Sequence, residues 1–155
     1  DIADEVLILE RDGELKSYNN EEMNFSYRNS IIKTDQIIIE ATFQGRHENK
    51  SNIKEKIDAV ISSREESQPS KVATGGSTFK NPKNQTQKKV WELINEIIPK
   101  NKMFGDAAIS DKHSNFFVNK KNASYDQMKQ LIDFVRLEIE KQTGIKLELE
   151  IEIVG

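Results

Sequence analysis

The sequence predicts an α+β fold. Three observations carry that expectation: short β-like runs joined by a turn near the start, three stretches of helical period further on, and a period-two tail from Ile145.

The elements follow in order. Glu5–Glu10 is a short apolar run, Asp12-Gly13 is a hairpin-turn signal, and Glu14–Tyr18 is the returning strand. Asn20 is placed to cap a single helical turn, and further β-like runs follow at Ile31–Ile32 and Ile37–Phe43. This first portion, to about Arg46, reads as antiparallel strands too few to bury a core alone, so it is expected to complete something larger.

Ile53, Ile57, Val60 and Ile61 then fall on one helical face, with Asn52 and Glu55 as a cap-like pair and an end near Arg64. A polar connector with Gln68-Pro69 leads to Gly75-Gly76-Ser77-Thr78-Phe79-Lys80-Asn81-Pro82, which taken alone reads as a polar surface turn between two helices. Val90, Leu93, Ile94, Ile97 and Ile98 mark a helix that Pro99 stops, with Trp91 as a core or rim anchor beside the stripe. Asn101–Ser110 reads as a loop, and Phe116-Phe117-Val118 as a buried strand. The last helix has a Ser124/Gln127 capping box, an apolar stripe at Met128, Leu131, Ile132, Val135 and Ile139, and Gly144 as its closing glycine. In the tail, Ile145, Leu147, Leu149, Ile151 and Ile153 share one strand face, and Lys146, Glu148, Glu150 and Glu152 share the other.

Composition removes several function classes. A chain of 155 residues holds one ordinary domain or two small ones, and 35% hydrophobic with 32% charged residues suits a soluble globular protein. A net charge of −3 gives no global basic field for nucleic acid, and the patch of Lys80, Lys83, Lys88 and Lys89 lacks a stacking series of aromatics. The absence of cysteine excludes a disulfide scaffold, a thiolate nucleophile and a cysteine-based zinc site. No apolar run reaches the roughly 18–20 residues of a membrane span and no signal peptide is visible, so a cytoplasmic protein with no membrane partner is expected. The chain begins at Asp1 without methionine, as a processed product or part of a longer protein would.

Single residues are ambiguous. Two glycines give the backbone access to positive φ or a close approach to a ligand, and Ser77, Lys80 and Asn81 add a hydroxyl, a cation and an amide. Ser77 reads as a proton donor, a ligand hydroxyl or a serine bonded to local backbone, and it lacks the strand–G-x-S-x-G–helix elbow of a nucleophile. Glu150 reads as part of a solvated face, although like charges at i and i+2 favour a nearby partner. Arg28 suits bidentate carboxylate recognition and equally an ordinary surface position. His113 has no metal-ligand spacing to another histidine, and no metal is expected. The seven glycines contain no G-x-G-x-x-G fingerprint.

In order along the chain, the motifs are Tyr27-Arg28-x-Ser30, Gln68-Pro69, and the octet Gly75–Pro82. They continue with Ser110-Asp111-Lys112-His113-x-Asn115-Phe116-x-x-Asn119, Asn122-Ala123, and Gly144-x-x-Leu147-Glu148-x-Glu150-Ile151-x-Ile153-x-Gly155. This set resembles the C-terminal half of the UDP-N-acetylenolpyruvoylglucosamine reductases, the MurB family. The resemblance implies a segment 1–46 that ends an FAD-binding (MurB/VAO-type) α+β domain, a helix and connector at 47–68, and a substrate-binding α+β domain at 69–155. It implies reduction of UDP-N-acetylglucosamine enolpyruvate to UDP-N-acetylmuramate for peptidoglycan synthesis, hence cell-wall biogenesis, cell shape and division. FAD recharged by NADPH would be the cofactor system, in an enzyme that is monomeric when complete. By the same resemblance Ser77 matches the proton donor, Glu150 the catalytic glutamate and Arg28 the arginine that polarises the substrate carboxylate. Asn81 and His113 match substrate contacts.

The family's FAD site lies mostly in an N-terminal region that this chain lacks, so weak or no FAD binding by residues 1–155 alone is expected. The other reading is a non-catalytic UDP-sugar-binding or interaction module. Within the matched region, Ile97-Ile98-Pro99-Lys100-Asn101 replaces a glycine-containing turn, and Asp106 replaces a second glycine after Gly105.

Overall fold

The computed structural model describes residues 2–154; Asp1 and Gly155, the last residue of the motif ending, lie outside the described residues. The fold is α+β, with two antiparallel sheets and three helices, and the chain divides into two compact units, Asp1–Ile53 and Lys54–Gly155.

The first unit is a three-stranded sheet of β1 (Ala3–Leu9), β2 (Leu15–Asn19) and β3 (Ile37–Phe43), with β1 in the middle. Glu10 N–H donates to Glu14 O at 2.8 Å across a three-residue loop, in which Gly13 takes φ +88° after a turn closed by its N–H to Glu10 O at 3.0 Å. A turn followed by a left-handed glycine matches the twist of the flanking strands. Val6, Ile8 and Met23 form a small core, with Tyr18 and Ile32 beside it. The capping position after β2 is Asn19 and not Asn20: Asn19 Oδ1 accepts from Glu22 N–H at 3.0 Å, and Glu22 reaches back to Asn19 N–H at 2.9 Å. Ile31–Ile32 forms no strand; Ile32 reaches the core from irregular backbone.

The helix α1 (Lys50–Ser67) starts earlier and ends later than its sequence signals suggested, because Asn49 caps it through Ser51 N–H and Oγ. None of its residues is buried, and Ile53, Ile57, Val60 and Ile61 are all exposed. Among the described residues no helix is long and apolar enough to cross a membrane.

The second unit is built on a sheet in the order β4-β7-β6-β5, from β4 (Ala73–Ser77), β5 (Met103–Phe104), β6 (Ala107–Ile109) and β7 (Phe116–Asn119). The helices α2 (Val90–Ile97) and α3 (Tyr125–Thr143) complete one core with it. Leu93 and Ile94 of α2 and Leu131, Ile132, Val135 and Ile139 of α3 meet Phe117, Ile109 and Phe79, and the Phe79 and Phe117 rings pack edge to face at 5.8 Å. The Ser124/Gln127 box and left-handed Gly144 bound α3 as their residue types require.

Three expectations fail in this unit. The glycine-rich stretch is a strand, because its backbone pairs with β7. The supposed loop Asn101–Ser110 contains the β5–β6 hairpin, turned at Gly105-Asp106. Only Gly105 there has positive φ (+56°), so Asp106 satisfies the turn without a second glycine and uses its carboxylate to accept from Asn122 N–H at 3.2 Å. The tail after Gly144 alternates in burial as far as Leu149, yet among the described residues its only ladder contact is the bridge between Leu149 and Phe79. The glycine-free segment after α2 closes as a turn, with Lys102 N–H donating to Pro99 O at 2.9 Å.

Candidate active site

Ser77 owes its position to a break in the sheet. Ala73 pairs Asn119, Thr74 pairs Val118 and Ser77 pairs Phe116, so Gly75 and Gly76 together face Phe117. This is a β-bulge, which bends a strand and re-aims the side chain that follows. Gly76 takes φ +88°, a conformation that costs glycine nothing. The Phe117 carbonyl accepts from Thr74 Oγ1 at 2.7 Å, and the same hydroxyl oxygen accepts from Gly76 N–H at 3.2 Å. The bulge is therefore sealed from inside the strand.

The tail runs over this bulge. A Cβ placed on Gly75 would meet Ile151 Cγ2 at 3.4 Å. Glu150 N–H donates to Thr78 O at 2.9 Å, and Lys80 N–H to Glu148 O at 2.9 Å. Ser77 is thus flanked on both sides by residues that touch positions 150 and 151, and both Ser77 and Glu150 are half-buried. At the start of the tail, the Gln85 carboxamide accepts from Lys146 N–H and donates to Lys146 O, each at 2.9 Å.

Asn81 carries a structural duty that its sequence match did not reveal. Its Oδ1 accepts from Val90 N–H at 3.0 Å, capping α2 from nine residues upstream. His113 sits in the turn before β7, edge-on to Phe116 at 5.0 Å, and its Nδ1 accepts from Asn115 N–H at 3.3 Å. That bond leaves the proton of the neutral ring on Nε2. Burial pushes the His113 pKa below its ordinary value.

Ser77, Asn81, His113 and Glu150 belong to the second unit, whereas Arg28 belongs to the first. There Ser26 and Asn29 exchange two backbone hydrogen bonds around a tight Tyr27-Arg28 turn. Arg28 is held at φ +57°, and its guanidinium lies 5.7 Å from the Tyr27 ring centroid. A left-handed conformation in a long-side-chain residue is uncommon and strained.

Thr74, Gln85 and Asn115 escaped sequence reasoning. The available signal was chemical: a polar residue directly before a buried Phe-Phe-Val strand has to find partners. The described glycines do not suit a dinucleotide. Gly75 and Gly76 lie in β4, Gly13 and Gly105 in hairpin turns, Gly45 in the irregular segment between β3 and α1, and Gly144 at the end of α3, and none is the first residue of a helix where a pyrophosphate would be held. Among the described residues no group of three or more potential His, Asp or Glu metal ligands converges.

Fold and site together define an antiparallel α+β domain in which one bulged strand gathers a serine hydroxyl and a tail glutamate. The family model described as the C-terminal domain of UDP-N-acetylenolpyruvoylglucosamine reductase matches residues 68–154. A UDP-N-acetylenolpyruvoylglucosamine reductase from Pelagibacter ubique is 43% identical over 154 residues, 99% of this chain and 51% of its own length. One from Gluconobacter oxydans is 37% identical over 148 residues, 96% of this chain and 47% of its own. The crystal structure of the Thermus caldophilus UDP-N-acetylenolpyruvylglucosamine reductase aligns with a TM-score of 0.82 at 30% identity, over 100% of this chain and 54% of that one. The chain belongs to the UDP-N-acetylenolpyruvoylglucosamine reductase C-terminal domain family, and it spans about half the length of the curated relatives it matches.

Proposed function

We propose that this chain is the substrate-side half of a reductase that converts UDP-N-acetylglucosamine enolpyruvate to UDP-N-acetylmuramate for peptidoglycan synthesis. The observation that carries the reading is the bulge that re-aims Ser77 beside the tail bearing Glu150, in a chain of this family. Hydride chemistry belongs to FAD recharged by NADPH, and to the half of the relatives that this chain does not match.

The residues here act on the other side of the reaction. Saturating an enolpyruvyl ether leaves negative charge on an enolate-like carbon beside the carboxylate, and that carbon needs a proton. Ser77 Oγ supplies it, and Glu150 assists. Arg28 draws charge onto the substrate carboxylate through a bidentate guanidinium. Its left-handed backbone supports a functional role, because strain of that kind gathers at active sites and ligand clamps. Asn81 and the Nε2–H of His113 contact the bound nucleotide sugar. Residues 1–46 end the flavin-side domain, 47–68 connect, and 69–155 bind substrate. The enzyme acts as a cytoplasmic monomer.

The test is Ser77→Ala in a flavin-loaded reductase containing residues 1–155. Flavin reduction by NADPH should be unchanged, while reoxidation by the UDP-sugar slows by about 10²–10⁴-fold. Unchanged reoxidation would overturn the assignment.

A further inference from the structure

Phe79 stands where the sheet should end. Thr78 C=O and Lys80 N–H face the tail, bonded to Glu150 N–H and Glu148 O, and Phe79 N–H and C=O point away from it. On that side β7 stops at Phe116, because the chain folds into the turn closed by Phe116 N–H to His113 O at 2.9 Å. No strand residue remains to pair with Phe79. The Asn115 side chain takes the vacant place: Oδ1 accepts from Phe79 N–H at 3.1 Å, and Nδ2 donates to Phe79 O at 2.9 Å. The Asn115 main-chain oxygen accepts from Thr78 N–H at 2.7 Å. A carboxamide thus imitates a strand partner, exchanging two bonds with one residue.

We infer that Asn115 is the positioning residue of this site, setting the backbone after Ser77 against the tail that carries Glu150. The inference rests on the roles proposed for those two residues. Asn115 is only 5% exposed, so it is not offered as a substrate contact. Its hold passes through Thr78 and Phe79, and Thr78 O is the acceptor for Glu150 N–H. The Asn115 side chain therefore holds Phe79 while its main-chain oxygen holds Thr78, the residue bonded to the tail at Glu150. Apolar packing fixes where Phe79 sits in the core, but only a directional donor and acceptor at position 115 fix the plane of its peptide groups.

Asn115→Asp separates positioning from bulk. The shape is kept and the acceptor to Phe79 N–H survives, but an ionised carboxylate turns a lone pair on Phe79 O. Once protonated, the acid regains the donor, and its pKa will be raised by burial and by the facing carbonyl. In a flavin-loaded reductase containing residues 1–155, reoxidation by the UDP-sugar should fall by about 10–10²-fold at pH 8, the scale of a small misplacement. Flavin reduction should be unchanged. The deficit should shrink on acidification, and wild type should show no such recovery. His113 Nδ1 accepts from the N–H of position 115, so the same comparison in a His113→Asn background assigns the difference between profiles to position 115. A pH-independent deficit, a wild-type rate at pH 8, or equal loss of both half-reactions would overturn the inference.

Amide exchange on residues 1–155 gives a second measurement. Asn115→Asp should speed exchange at Thr78, Phe79 and Glu150 while α3 keeps its protection; loss of protection throughout α3 would make the role merely structural. Ser77→Ala run in parallel keeps the two ideas apart. A wild-type rate there sinks the proton-donor reading, while the exchange pattern still decides the positioning of the backbone.

Discussion

Strands β3 and β7 are both rich in large apolar residues, Ile-Ile-Ile-Glu-Ala-Thr-Phe against Phe-Phe-Val-Asn, yet all seven residues of β3 are exposed and three of the four in β7 are buried. Residue type does not separate them. The difference is the layer above each sheet: α2 and α3 cover β6 and β7, whereas the core of the first unit gathers only Val6, Ile8 and Met23, with Tyr18 and Ile32 beside it. Sheets become stable by packing against a second layer. The second unit therefore holds its proposed catalytic groups on a closed core. The first carries Arg28 on a thinly covered sheet.

The sharpest way to break that contrast is a pair of truncations. Phe79→Ala removes a ring at 0% exposure and should cost about 3–5 kcal/mol, whereas Ile38→Ala, at 52% exposure, should cost less than about 1 kcal/mol. Urea midpoints followed separately for each unit would show it. Comparable costs would mean that the first sheet is as well buried as the second.

Legibility in the sequence follows the same division between local and distant causes. The bounds of α3 were readable because Ser124, Gln127 and Gly144 act on backbone within a turn or two of themselves. The hairpin at Gly13 was readable for the same reason. Strands of two and three residues carry no period, so β5 and β6 passed for a loop. The period of α1 was right, but periodicity describes a face and not what lies against it. The tail alternates like a strand and still has no continuous partner, since pairing depends on how far its neighbour runs. Of the residues proposed to act, Ser77, Glu150 and Arg28 stood out through the order of motifs, while their own chemistry left each ambiguous. Asn115 stood in a motif and had to find partners, but which ones could not be read, because Phe79 lies 36 residues away.

A smaller effect distinguishes Arg28 from ordinary turn residues. Asparagine tolerates left-handed backbone far better than arginine does. Arg28→Asn should therefore raise the stability of the first unit by up to about 1 kcal/mol, offset in part by the lost stacking on Tyr27. In the reductase the same change should weaken turnover. A substitution that stabilises the fold while harming activity would sharpen the contrast, since it places strain on the thinly covered unit. A clear drop in stability would show that the guanidinium holds the turn together.

The smallest expected effect lies on the closed unit and comes from His113. Burial lowers its pKa, and its Nδ1 is engaged as an acceptor by Asn115 N–H. Protonation would place a ring N–H against that backbone N–H, so the folded state takes up the proton less readily than the unfolded chain. The sign follows directly. The stabilising contribution is fully present above the unfolded histidine pKa of about 6.5, and it is lost as pH falls through the lower folded value. The urea midpoint of the second unit should therefore drop between pH 7.5 and pH 5.5. His113→Asn, whose amide oxygen can accept from the same N–H, should show a smaller drop, because it removes the titration and keeps the bond. Carboxylates titrate in both proteins and cancel in the comparison. Equal drops would mean that protonated His113 turns its ring away from Asn115 at little cost, and that the turn before β7 is less rigid than the rest of the site.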